Sequence, residues 1–174
     1  MADVRARMDC VEGDITKLDV EAIVNAANDR LVPGGGVDGA IHRAAGPELA
    51  EACRRIGRCP AGEARVTPGF RLKAKHVIHA VGPVWRGGAH DEDFVLAAAY
   101  RNSLEAARAH GVTSVAFPAI STGRYRYPPE RAARTATQSV ADFLRQHDRP
   151  ERVVFACLGA EMTAIYRCAL ADVS

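Results

Sequence analysis

Residues 25–42 read NAANDRLVPGGGVDGAIH. The stretch opens inside an apolar run, AIVNAA from Ala22, and closes inside a helical pattern over residues 37–45, with a polar turn and a glycine cluster between. A strand that passes through a loop into a helix is the repeating unit of an α/β fold. The chain repeats it. HVIHAV from His76, SVAFPAI from Ser114 and RVVFAC from Arg152 are also apolar and rich in β-branched residues, as suits central strands covered on both faces. A first strand is expected over residues 5–12. Helical stripes lie between. Ala132, Ala136, Val140, Phe143 and Leu144 mark one over residues 129–146, and Met162, Ile165, Tyr166, Ala169 and Leu170 mark another near the carboxyl end. Residues 91–110 carry Leu96, Tyr100, Leu104 and Ala107 on one face, with acidic residues at the start and Gly111 at the end. The expected class is α/β: a three-layer α/β/α sandwich around a central mixed sheet, as one domain over residues 1–174.

The chain has 174 residues, 48% hydrophobic and 25% charged, with a net charge of +2. That is a globular composition without the basic excess of a nucleic-acid binder. No apolar run approaches the roughly 18 residues of a membrane span, and MADVRARMDC lacks the apolar core of a secretory signal. A cytoplasmic monomer is expected. The five cysteines form no CxxC pair, which favours buried thiols over a disulfide frame. His76 and His79, three apart on one strand, point to opposite faces and make no metal site.

Gly34, Gly36 and Gly39 fit G-x-G-x-x-G, the fingerprint of a dinucleotide-binding turn. The context argues against it. DRLVP separates these glycines from their strand, and IGRCPAG, about 20 residues on, offers no acid for a ribose. No GK[ST] follows a glycine cluster, so a Walker loop is excluded. Four loops taken together read differently: GDIT after the first strand, NAAN at the end of the second, GGGVDGAIH next, and PAISTGRYRYP after SVAF. Each offers backbone donors or a short polar side chain to an anionic nucleotide. In this order the motifs resemble the macrodomain family, in the branch that deacetylates O-acetyl-ADP-ribose or removes ADP-ribosyl groups. The resemblance spans nearly the whole chain.

The resemblance implies a site residue by residue. Asp14 would accept from the adenine amine and the backbone of Ile15 would help hold the ring; by itself, Asp14 also reads as a helix N-cap. Gly34, Gly35, Gly36 and Val37 would pass under the distal ribose and reach the phosphates. Ser121, Thr122, Gly123, Arg124 and Tyr125 would wrap the diphosphate with consecutive amides, Gly123 taking positive φ and Tyr125 packing on the distal ribose. Arg124 and Arg126 stand where the family suggests small or apolar residues, Pro33 where it suggests glycine, and Leu158 where an aromatic would stack on adenine. Asn28 would contact the ribose hydroxyls. Asp38 would either deprotonate the attacking water or position water and ribose while a substrate phosphate takes the proton. His42, one turn beyond Asp38, is given no catalytic part.

The implied partners are ADP-ribose and ADP-ribosylated esters or proteins, with no cofactor and no metal. Two rival readings use the same residues. A non-catalytic ADP-ribose-binding module would share the adenine and phosphate contacts and differ only at Asn28 and Asp38. A serine hydrolase would use AISTG as a near-match to the nucleophile elbow, with Ser121, Asp142 and His147 in chain order, yet the last two fall on or just after a surface helix.

Overall fold

The computed structural model describes residues 3–174. A 3₁₀ turn, Val4–Arg7, leads into β1, Met8–Glu12. The expected first strand is therefore shorter than residues 5–12, because Asp3 caps that turn by accepting from the Arg5 amide. Next come a 3₁₀ turn, Ile15–Lys17, and β2, Ala22–Ala26. Helices α1, Gly36–Ala45, and α2, Pro47–Ile56, then precede β3, Ala64–Pro68, and β4, His76–Ala80. The remainder alternates: α3, Glu92–Ala109; β5, Ser114–Phe117; α4, Pro129–Gln146; β6, Arg152–Cys157; α5, Ala160–Ala171.

Two elements lie outside the sequence expectations. Helix α2 restarts at Pro47 immediately after Gly46; Leu49, Ala52, Cys53 and Ile56 do fall on one face, but over only ten residues, of which Leu49 and Cys53 are buried. Strand β3 buries only Thr67 and forms an edge, where apolar alternation is weak.

The six strands lie in the order β1-β6-β5-β2-β4-β3. All neighbours pair in parallel except β3, which is antiparallel to β4. The sheet is mixed and covered on both faces. Ala22, Val24, Ile78 and Ala80, with Phe117 of β5 and Phe155 of β6, face a core built with residues of α3, α4 and α5, including Tyr100 and Tyr166. Ile23 and Val77 face the opposite core, with Ile41 and Ala45 of α1 and Leu49 and Cys53 of α2. This is the three-layer α/β/α sandwich expected from the alternation. Because β1, β6, β5, β2 and β4 run the same way, their carboxyl ends share one edge, and the loops that leave them line one crevice. No helix of the described residues is long and apolar enough to cross a membrane.

Candidate active site

The loops singled out in the sequence all emerge at that edge, in spatial order. Asp14 and Ile15 follow β1, Leu158 follows β6, Ser121–Tyr125 follow β5, and Asn28 with the glycine cluster follows β2. The first two groups meet, since the Gly13 amide donates to the Cys157 carbonyl at 2.9 Å. Asp14 does cap its 3₁₀ turn: Oδ1 accepts from the Thr16 amide at 2.9 Å and its hydroxyl at 2.7 Å. These bonds, the side chain's first, lower the Asp14 pKa. Oδ2 makes no hydrogen bond among the described residues, so capping leaves half of the carboxylate available. Ile15 is buried beneath it, and Leu158 is 70% exposed at the rim.

The loop from β2 to α1 is held by two side chains. Asn28 clamps the turn NDRLV, donating from Nδ2 to the Val32 carbonyl at 2.7 Å and accepting the Val32 amide on Oδ1 at 3.1 Å. One Nδ2 hydrogen is left over. Asp38 lies below, 6% exposed. Its Oδ2 accepts the Gly34 amide at 2.6 Å, its Oδ1 accepts Nδ2 of Asn25 at 2.6 Å, and Nε2 of His42 is 3.4 Å away. Burial favours the neutral acid, but the bonds from His42, Asn25 and Gly34 outweigh it and hold the pKa below the ordinary value. The magnitudes agree with that sign, since hydrogen bonds to a charged group each contribute about 1.5–3 kcal/mol. Asp38 is thus an ionised carboxylate with both oxygens engaged.

Gly39 explains how the loop sits so close to the helix: a Cβ there would lie 2.7 Å from the Gly34 carbonyl oxygen. Gly36 has φ of 58°, a region glycine enters without strain. Gly34, Gly35 and Gly36 are exposed, and α1 begins without a side-chain cap. The amides of Gly35, Gly36 and Val37 therefore have no protein acceptor among the described residues and mark the positive end of the helix.

The loop after β5 is shaped mainly by the backbone. The Ser121 hydroxyl donates to the Pro83 carbonyl at 2.9 Å, the Tyr127 amide to the Ser121 carbonyl at 2.9 Å, and the Trp85 amide to the Tyr125 carbonyl at 2.8 Å. Two expectations need correction. The five amides are not all available, because that of Thr122 bonds back to the Ala119 carbonyl at 3.4 Å, as its hydroxyl does at 2.7 Å. Nor does Gly123 take positive φ; Ser121 (69°) and Arg126 (60°) do. The amides of Ser121, Gly123, Arg124 and Tyr125 remain without a protein acceptor among the described residues, and a Cβ on Gly123 would meet only open space. Glycine here leaves room above the backbone rather than relieving strain. Burial raises the Tyr125 pKa, and the charges of Asp29, Arg124 and Asp38 act on it as well.

The serine-hydrolase geometry is absent. The Ser121 hydroxyl is buried on Pro83, Asp142 pairs with Arg145, and His147 packs at a tilt against Phe143. Asp142 stands thirteen residues along α4 from Pro129, about 20 Å at the helical rise.

Sequence reading missed the support beneath the site. Asn25 and His79 are both fully buried. The imidazole is held neutral by burial, which pushes its pKa down to about 4. A polar residue inside an otherwise apolar central strand was the available signal. Glu92 was missed too: its carboxylate accepts the amides of Arg86 (2.8 Å), Gly88 (2.9 Å) and His90 (2.6 Å). It thereby organises the loop that backs Tyr125.

The Macro domain family matches residues 24–136. An O-acetyl-ADP-ribose deacetylase of Citrobacter koseri is 55% identical over 167 residues, covering 94% of this chain and 94% of that protein. The Oceanobacillus iheyensis macrodomain with ADP superposes with a TM-score of 0.88 at 42% identity, covering 93% of this chain and 88% of that one. The Trypanosoma brucei macrodomain in complex with ADP-ribose gives 0.89 at 39% identity, covering 96% and 71%.

Proposed function

This chain belongs to the Macro domain family, and from that premise we propose that it is an ADP-ribose-binding hydrolase that deacetylates O-acetyl-ADP-ribose and releases mono-ADP-ribose from acidic side chains. The observation that carries the proposal is the order of groups along the sheet edge. The carboxylate oxygen of Asp14 left free among the described residues suits an exocyclic amine, and the amides of two opposed turns that have no acceptor among them suit a diphosphate. Asn28 beside Gly34 suits a sugar hydroxyl. An extended nucleotide diphosphate sugar presents these chemistries in this sequence. Leu158 packs against the base without a π face.

At the ribose end, water adds to the ester carbonyl carbon, the ester C–O bond breaks, and the ribose oxygen leaves with a proton as the acid departs. Asp38 enters this reaction as a positioning group. Its oxygens already hold Gly34 and Asn25, and its lowered pKa makes it a weak base. The proton of the attacking water passes instead to a phosphate oxygen of the substrate, beside the turn that Asp38 pins.

Calorimetric titration with ADP-ribose, against ATP and NAD, tests the binding half. Acetate release from O-acetyl-ADP-ribose by the wild type, Asn28→Ala and Asp38→Ala tests the chemistry. The expected result is selective ADP-ribose binding, with turnover reduced about 100-fold or more in Asp38→Ala, the scale of a misplaced reactive geometry. Tight binding without wild-type turnover would make the chain a binding module.

A further inference from the structure

We propose that Asn25, His79 and Thr67 form a buried hydrogen-bond relay whose task is to fix the orientation of Asp38 and, through it, of the glycine turn at the ribose end. The proposal rests on the functional reading above for its kinetic consequence but not for its geometry.

Asn25 and His79 sit opposite each other in the parallel register of β2 and β4, on the sheet face that α1 and α2 cover. Asn25 Nδ2 is 2.6 Å from Asp38 Oδ1 and 3.2 Å from His79 Nδ1, and His79 Nε2 is 2.9 Å from Thr67 Oγ1. An ionised carboxylate can only accept. The amide must therefore turn its NH₂ to Asp38, since the flipped orientation would set two oxygens 2.6 Å apart. That nitrogen has a second hydrogen, aimed at His79 Nδ1, so Nδ1 is the acceptor. The ring proton is left on Nε2, where the Thr67 hydroxyl receives it. The carboxylate at one end thus dictates every donor and acceptor back to the edge strand, and the edge strand in turn holds the carboxylate.

A structural role alone does not account for this arrangement. Asn25 Oδ1 is buried and has no partner among the described residues, a cost that valine or isoleucine in the same central strand would not incur. The amide serves its donor side. That side leads directly to Asp38, whose other oxygen grips the Gly34 amide at 2.6 Å.

The test has one spectroscopic and one kinetic arm. Side-chain nitrogen NMR of the wild type should show His79 as the neutral Nε2–H form, and the Gly34 amide proton should be shifted far downfield by its carboxylate acceptor. In Asn25→Leu and in the milder Thr67→Val, the Gly34 resonance should move upfield. Asn25→Leu should lower kcat for acetate release about 100-fold and Thr67→Val about fivefold, with the ADP-ribose Kd held within about threefold. Thr67→Ser, which restores the hydroxyl, should recover wild-type kcat. An Nδ1–H tautomer, a Gly34 resonance indifferent to both substitutions, or a Thr67→Val loss that serine does not repair would each overturn the relay. Should Asn25→Leu fail to fold, the Thr67 pair and the wild-type tautomer still decide. A wild type without turnover would remove the proposed function, while the tautomer and the Gly34 resonance would still judge the relay.

Discussion

The turn at residues 34–37 and the turn at residues 121–125 face each other across one crevice, with Arg124 reaching to 3.9 Å from where a Cβ on Gly35 would lie. They are built by opposite means. The first is pinned from below by charge: Asp38 takes the Gly34 amide, and Asn25, His79 and Thr67 stand behind Asp38. The second is shaped by main-chain bonds and by the loop that Glu92 organises, while the side chains of Arg124 and Arg126 are exposed. On the function proposed above, the contrast separates two tasks: gripping a diphosphate would need amide direction only, so side chains there could vary, whereas aligning a sugar ester would need one fixed carboxylate and the shell that orients it.

The sharpest way to break the contrast is Gly39→Ala, which puts a methyl group 2.7 Å from the Gly34 carbonyl oxygen. The loop has to lift, at a cost of about 1–3 kcal/mol in stability and about tenfold in ADP-ribose affinity. Urea unfolding and calorimetry measure the two effects. A silent substitution would mean that the first turn is not held rigidly.

Glu92→Gln tests the backing of the second turn. Burial raises the pKa of this carboxyl, yet backbone donors outweigh burial and hold it at about 2, against an ordinary 4.5. The folded state therefore binds its proton later than the unfolded chain does. Its stabilisation is fully present above pH 4.5 and is lost as pH falls toward 2. The variant should melt below the wild type at neutral pH, with the gap closing across that acid window. A gap that stays constant through pH 3 would remove the charge from the explanation.

Arg124→Ala should matter least. Exposed charges contribute less than about 1 kcal/mol, so ADP-ribose binding should weaken about threefold at low salt and hardly at all at high salt. An effect matching that of Gly39→Ala would erase the distinction between the turns.

The fold was legible wherever strands were apolar on both faces and helices carried a full stripe. It was hidden where an element buried too little to leave a pattern, as in β3. Helix α2 was overlooked although Leu49, Ala52, Cys53 and Ile56 lie at helical spacing, because its ten residues follow α1 with only Gly46 between. Within the site, the glycines and Asp38 could be placed because their spacing is local. The support under Asp38 could not, because Asn25 and His79 are 54 residues apart and become partners only through the pairing of two strands. Gly123 shows the converse: glycine in a turn suggested positive φ, but the structure gives that conformation to Ser121 and Arg126 and keeps Gly123 for clearance.

Among the described residues, the outward amides of Gly35, Gly36 and Val37 and of Gly123, Arg124 and Tyr125 have no protein partner to relinquish before a guest arrives. On the proposed function, capture of ADP-ribose should then be a single encounter whose observed rate climbs linearly with concentration, with no plateau from a prior rearrangement. Gly39→Ala should accordingly change how long the guest stays, whereas Arg124→Ala should change how fast it is caught at low salt.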